Sequence, residues 1–293
     1  MPFGNEIVMK RFIVFAIIVG SYVGQLQANG GKNKWDYIVT INTSMGEMKA
    51  ILFDETPRHK ENFIKLIKQG FYDSLTFHRV IKDFMVQGGD PGSRLNIENR
   101  GGRVGNGGPG YTVPAEFRPN LFHYKGALSA ARQGDYVNPH RASSGSQFYI
   151  VQGKQLEEKE LIPLNSFIMG DALKKIKQGT PLSDTLRRAM SEGREAFEQK
   201  LVAMADEIEE ATGFKVVVPQ ERIDVYTTLG GTPHLDDQYT VFGKVFMGLE
   251  VIDKIAAVET GRGDMPREAV WMHITVQRLK KKKITKIYGF SYE

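Results

Sequence analysis

The chain has 293 residues, 41% of them hydrophobic and 25% charged, with a formal net charge of +5 at pH 7. That length suits one large domain or a domain with an elaboration, and the composition supports an ordinary packed core rather than a disordered polypeptide. Basic residues are scattered except for Lys280-Lys281-Lys282-Lys283, so no basic stripe with interleaved aromatics marks a nucleic-acid binder, and the absence of Cys excludes disulfides and thiol chemistry.

The first elements read as an export signal. Met9-Lys10-Arg11 supplies a positive start, and Phe12 to Gly20 is an uncharged apolar run. Small and polar residues follow up to Ala28, so residues 1–28 are expected to be a signal peptide cleaved near Ala28. The apolar run is too short to span a bilayer comfortably, and no stable membrane anchor is expected after cleavage. The mature protein is accordingly expected to be exported, periplasmic or secreted.

Trp35 to Asn42 and Met45 to Phe53 are two β-rich runs around Thr43-Ser44, the pattern of a hairpin. Thr56-Pro57 then starts a helix, with Thr as N-cap and Pro at the first helical position. Phe63, Leu66 and Ile67 form its apolar face, and Gly70 ends it. Short β-like segments follow at Thr76 to Val80, Phe84 to Gln87, Gly126 to Ala131 and Gln147 to Val151, with a Gly-rich loop from Arg100 to Gly110 between them.

From Gly153 to about Tyr226 the chain becomes rich in Glu and Lys with helical periodicity. Phe197, Leu201, Met204 and Ile208 share one face there. β character returns at Thr240 to Val245, a short helix covers Leu249 to Val258, and an alternating strand covers Val270 to Leu279. Residues 281–293 read as a solvated basic tail. β-rich segments flanking a helical insertion predict a mainly β fold, either an antiparallel barrel or a sandwich.

Three runs carry the chemistry. The first is Phe77-His78-Arg79-Val80-Ile81-Lys82-Asp83-Phe84-Met85-Val86-Gln87-Gly88-Gly89-Asp90. The second is Gly126-Ala127-Leu128-Ser129-Ala130-Ala131-Arg132, leading to Ser144-Gly145-Ser146-Gln147-Phe148-Tyr149-Ile150, and the third spans His234 to Val245. Together they resemble the cyclophilins, whose F-H-R-x-x-x-x-F-M-x-Q-G-G-D, G-S-Q-F and L-D-x-x-x-x-V-F-G-K-V blocks they match in order. Tyr111 to Phe117 also looks like the family's approach to the third barrel strand. The resemblance covers roughly residues 36–152 and 227–280. It implies a closed eight-stranded antiparallel β-barrel capped by two helices, here one domain over 36–280 interrupted by a helical insertion at 153–226.

The implied activity is peptidyl-prolyl cis/trans isomerisation. Rotation about an X–Pro bond breaks amide resonance against a barrier of about 18–20 kcal/mol. At the twisted state the prolyl nitrogen becomes pyramidal and accepts a hydrogen bond, so a fixed guanidinium beside a dry proline pocket suffices, and no nucleophile, metal or cofactor is needed. By match to the family, Arg79 is the expected catalytic residue and Gln87 orients it or bonds the substrate backbone. Phe84, Met85, Tyr149, Leu235 and Tyr239 line the expected pocket, with Ala131, Arg132 and Gln147 along the peptide groove.

An isolated Arg on a strand is ordinarily a surface residue, and Phe84, Met85 and Leu235 would ordinarily be core. Only their joint spacing makes them a site. His78 reads as a structural, hydrogen-bonded histidine, and the six His residues show no ligand spacing, so no metal is expected. Four positions depart from the family pattern. His234 stands where many members carry a Trp that helps hold cyclosporin. Tyr239 replaces a pocket His, Tyr149 a Phe, and Arg132 an Asn.

The expected partners are proline-containing polypeptides folding or assembling outside the cytoplasm, acted on by a monomer. A holdase or binding module using the same groove with little catalysis is the alternative, and the intact Arg79 favours the enzyme. Replacing residues 154–226 with a Gly-Ser linker is expected to spare activity on small peptides.

Overall fold

The computed structural model describes residues 34–95, 104–161, 173–213, 216 and 218–292; the expected signal peptide at 1–28 lies outside them. In chain order the strands are β1 (Trp35–Thr43), β2 (Gly46–Leu52), β3 (Leu75–Thr76), β4 (Arg79–Ile81), β5 (Met85–Gly88) and β6 (Thr112–Val113). They continue with β7 (Ala127–Ala130), β8 (Ser143–Ser144), β9 (Phe148–Val151), β10 (Val241–Met247) and β11 (Trp271–Lys280). The helices are α1 (Pro57–Lys68), α2 (Glu158–Leu161), α3 (Pro181–Glu192), α4 (Arg194–Ala203), α5 (Ala205–Thr212), α6 (Gln220–Thr228), α7 (Leu249–Ala256) and α8 (Lys281–Tyr288).

Nine strands form one curled antiparallel sheet, a half-barrel ordered β3-β11-β1-β2-β10-β7-β9-β5-β4. The sheet has nine strands where eight were expected, because Phe77 and His78 split one extended run into β3 and β4. These become the two edges of the sheet, yet they are consecutive in the chain. The Phe77 amide donates to the Val270 carbonyl at 2.9 Å beside β11, and the His78 amide donates to the Gln87 carbonyl of β5 at 3.0 Å. The Tyr111 to Phe117 segment, expected to lead into the barrel, instead gives β6 to a separate two-stranded sheet with β8.

Inside the curl, one face of each strand feeds a single apolar core that includes Val39, Ile41, Leu52, Val86, Leu128, Phe148 and Ile150. Helix α1 packs Phe63, Leu66 and Ile67 into it, and α7 adds Val251, Ile252 and Ile255. These are the two capping helices expected from the sequence. Thr56 starts α1 as expected, but its side chain makes no capping bond. The buried Glu116 carboxylate does so from far along the chain, accepting from the Arg58 amide at 3.2 Å and the His59 amide at 3.0 Å. A carboxylate on exposed helix N–H groups is favoured by the helix dipole.

The described residues of 153–226 are largely helical, but the single apolar stripe is bent into two helices. Met204 leaves helical geometry at φ −113° and ψ 23°, separating α4 from α5. Phe197, Leu201, Met204 and Ile208 nevertheless converge, packing on Ile176, Leu186 and Val216 in a small core internal to the insertion. The last helix behaves differently. From α6, Ile223 and Tyr226 pack with Phe122, which precedes β7, and with Leu161 of α2. The two stems meet where backbones nearly touch: a Cβ on Gly153 would lie 2.4 Å from the Gly231 Cα.

The solvated tail expected at 281–293 is instead largely helix. Ile284 of α8 is fully buried against Ile38, Ile51 and Leu279, and Phe246, Tyr288, Phe290 and Tyr292 gather round it. The lysine run still faces solvent to a large extent. Its local charge density predicted the solvation, while the single apolar residue every few positions that anchors it gave no periodic signal.

Candidate active site

Strands β5, β7 and β9 are buried on both faces, so successive residues serve two different cores. Val86, Leu128, Ala130 and Ile150 point into the main core, whereas Met85, Ala127, Ala131, Tyr149 and Val151 build a second apolar cluster with Val241 on the outer side. Phe84, Leu235 and Tyr239 close over that cluster from turns and loops. The result is an open cavity of about 790 Å³ bordered by Arg79, Phe84, Met85, Gln87, Ala131, Arg132, Tyr149, Leu235 and Tyr239. Every expected site residue except Gln147 lines it. Gln147 borders an adjoining hollow of about 630 Å³ that shares Gln87, Ala131 and Arg132.

Arg79 stands at the cavity rim with its side chain 41% exposed. In the ladder it pairs across from Gln87. The orienting contact expected from Gln87 goes elsewhere: its amide nitrogen donates to Gln147 Oε1 at 3.1 Å. The Arg79 Nε donates instead to Asp264 Oδ2 at 3.3 Å. Asp264, whose neighbours Arg262, Gly263 and Met265 line the cavity, escaped the sequence reading because it lies 185 residues from Arg79 and outside every motif. This pair is half-exposed, where ion pairs contribute little stability, so it steers the guanidinium without locking it.

Gln147 and Asp90 shape the second hollow. The Gln147 amide nitrogen donates to the carbonyls of Gly105 at 3.0 Å and Gly107 at 2.7 Å. The buried Asp90 carboxylate accepts from the amides of Gly105 and Gly107. Gln147 therefore acts on the groove by holding this glycine loop. Arg132 is similarly committed, its guanidinium 4.5 Å above the Tyr239 ring while Nε donates to the Gln238 carbonyl at 2.9 Å. It braces the Tyr239 wall, a role that the expectation of a backbone-reading residue did not contain.

The hydroxyl that distinguishes Tyr149 from Phe is buried and satisfied. It lies 3.0 Å from Nε2 of His123, a fully buried residue that the sequence reading left without a role. Burial holds the Tyr149 phenol well above its ordinary pKa, so it stays protonated. Its ring meets Tyr239 edge-on at 6.0 Å, giving the cavity floor two aromatic planes. Aromatic walls suit a proline ring, which offers a rigid apolar face with no donor.

His78 corrects another expectation. It is 5% exposed, lines the cavity, and neither ring nitrogen has a hydrogen-bond partner among the described residues. Burial pulls its pKa down to about 4, so the folded protein holds it neutral. The unfolded chain takes up that proton near pH 6.5. Because the folded value is the lower one, stability falls as pH drops from about 6.5 towards 4, by about 2 kcal/mol between pH 7 and pH 5 for this residue. Burial lowers His59 and His234 too, with the same sign, whereas the carboxylates lowered by their partners, such as Glu116 with His59, lose their contribution only below about pH 4.5. Urea unfolding at pH 7 and pH 5 should therefore show a smaller difference in His78→Phe than in the parent. An equal difference would place the acid sensitivity elsewhere.

The geometry is that of a pocket for an apolar ring beside the Arg79 guanidinium. The family model for cyclophilin type peptidyl-prolyl cis-trans isomerase/CLD matches residues 38–276. A Staphylococcus aureus protein named as a peptidyl-prolyl cis-trans isomerase is 32% identical over 241 residues, 82% of this chain and 91% of its own length. A Streptococcus pyogenes protein named as a bifunctional phosphatase/peptidyl-prolyl cis-trans isomerase is 33% identical over 238 residues; the match takes in 79% of this chain but spans only 37% of that relative. A crystal structure of a Cryptosporidium parvum cyclophilin type isomerase aligns at 20% identity with a TM-score of 0.46, covering 83% of this chain and 98% of that one. This chain belongs to the cyclophilin-type peptidyl-prolyl cis-trans isomerases.

Proposed function

We propose that the enzyme isomerises X–Pro bonds in polypeptides that fold or assemble after export, with Arg79 as the catalytic donor to the prolyl nitrogen. The observation that carries this reading is the convergence of Arg79 with Phe84, Met85, Tyr149, Leu235 and Tyr239 around one cavity. The proline ring sits on the aromatic floor, the guanidinium reaches the nitrogen as it pyramidalises, and Gln87 offers its amide oxygen to the substrate backbone. Only the interaction that strengthens in the twisted state accelerates rotation, each 1.4 kcal/mol being about tenfold in rate. The curled sheet acts as a closed barrel, a reading supported by the two amides of Phe77 and His78 that bond to opposite edges. Export to the periplasm or medium is supported by the sequence Met9 to Ala28. A protease-coupled assay on a proline tetrapeptide, run with the mature protein and with Arg79→Ala, tests the assignment, and localisation of the tagged full chain tests export.

His234 bears on inhibition. Its ring stacks on Phe84 at 5.4 Å with the planes 26° apart, beside the pocket residue Leu235. An imidazole covers less apolar area than an indole, so cyclosporin should inhibit weakly and His234→Trp should tighten it by about tenfold or more. Titrating inhibition in both proteins is the check, and equal affinities would show that this side chain does not meet the ligand.

A further inference from the structure

Beneath the cavity floor runs a chain of buried polar groups that begins in the insertion. Tyr226 of α6 donates its hydroxyl to Asp236 Oδ2 at 2.7 Å, and Arg222 Nη1, one turn earlier, donates to the same oxygen at 3.0 Å. The other oxygen, Oδ1, accepts from the His123 amide at 2.9 Å and lies 2.9 Å from His123 Nδ1. His123 Nε2 then lies 3.0 Å from the Tyr149 hydroxyl. All five residues are buried. Arg222 also donates to the Pro119 carbonyl, which fixes the guanidinium from its other edge.

With a neutral imidazole, one arrangement of donors satisfies each of these contacts. A carboxylate only accepts, so His123 carries its proton on Nδ1 and presents a bare Nε2 to the tyrosine. Tyr149 must then turn its O–H towards His123 and away from the cavity. Without the anchor on Asp236, the imidazole is free to carry its proton on Nε2. It would then donate to Tyr149, and the phenolic hydrogen would leave His123 for the facing Ser129 Oγ, otherwise without a partner among the described residues, or for the space where an apolar ring binds. A donor without a partner in such a pocket is costly.

We propose that the insertion sets the polarity of the proline pocket through this relay, with Tyr226, Arg222, Asp236 and His123 as positioning residues for Tyr149. The inference rests on the site assignment above. It also gives the insertion's last helix a task distinct from that of the self-contained helices before it.

The test is a double-mutant cycle on the full chain. Tyr226→Phe removes one of the two groups that hold Oδ2 and so loosens the carboxylate against His123 Nδ1, while three of the four donors to Asp236 remain and folding should persist. It should lower kcat/KM for a proline peptide by about threefold to tenfold, mainly through KM. In a Tyr149→Phe background, which has no hydroxyl to orient, the same substitution should change nothing. Nitrogen-15 spectra of the His123 ring should show the proton on Nδ1 in the parent and a shift towards Nε2 in Tyr226→Phe. Equal losses in both backgrounds would mean a merely structural role and overturn the relay, as would an unchanged KM with an unchanged ring spectrum. Arg79→Ala measured alongside keeps the two readings apart: full activity there sinks the site assignment, whereas additivity in the cycle sinks only the relay.

Discussion

Arg79→Ala should cut turnover of an X–Pro peptide by about tenfold at least, while the unfolding transition stays within about 0.5 kcal/mol of the parent. The asymmetry follows from where the residue sits. Its side chain is 41% exposed and its ion pair with Asp264 is half in water, so truncation opens no core cavity and strands no buried charge. Catalysis loses its only expected donor to the twisted nitrogen. Arg79→Lys should recover little, because a flexible ammonium lacks the planar fork that can grip Asp264 with one edge and leave another for the proposed contact with substrate. The measurement is kcat/KM by a protease-coupled assay paired with urea unfolding of the same preparations. Near-full activity in the Ala variant would move the catalytic assignment to another residue.

Replacing residues 154–226 with a Gly-Ser linker should abolish activity on small peptides, contrary to what motif boundaries alone suggest. The deletion removes Arg222 and Tyr226 and leaves the Asp236 carboxylate buried beneath the pocket with two of its donors gone. Breaking a buried ion pair from one side costs about 3–5 kcal/mol, and loss of Ile223 and Tyr226 from the cluster with Phe122 adds a cavity of comparable cost. A trimmed replacement of residues 162–216 should behave differently. It removes the core formed by Ile176, Leu186, Leu201 and Ile208 but keeps α2 and α6 in place, so peptide turnover should remain within about twofold. Acceleration of a full-length, proline-limited refolding reaction should fall in the trimmed protein if that helical core contributes to client capture. Equal activity of both deletions on peptides would show that α6 does not support the pocket.

The relation between Tyr226 and Tyr149 shows where local reading ends. Arg222 and Tyr226 are four apart on a helix and share a face, a spacing visible in the sequence, but nothing local says that this face meets Asp236. The same limit hides the pair of Arg79 and Asp264, and the cap that Glu116 places on α1. His78 was misread for the opposite reason. A buried histidine ordinarily finds partners, and only packing on every side reveals that both ring nitrogens lack them among the described residues.

What the sequence determined by itself was the local part of the site and of the fold. Phe84, Met85, Gln87, Ala131 and Tyr149 lie in contiguous runs, and their two-residue alternation already divides side chains between two faces. The hairpin of β1 and β2, the helices α1 and α7 and the place of the insertion were legible for the same reason: periodicity and turn residues act over a few neighbours. Tertiary structure decided the rest. It broke the 75–81 run into two sheet edges, made a packed helix of the lysine-rich end, spent Gln87 on Gln147, and joined an insertion helix to the pocket through Asp236 and His123. Those outcomes depend on groups brought together across long stretches of chain, where each buried polar atom takes whichever partner the packing leaves within reach.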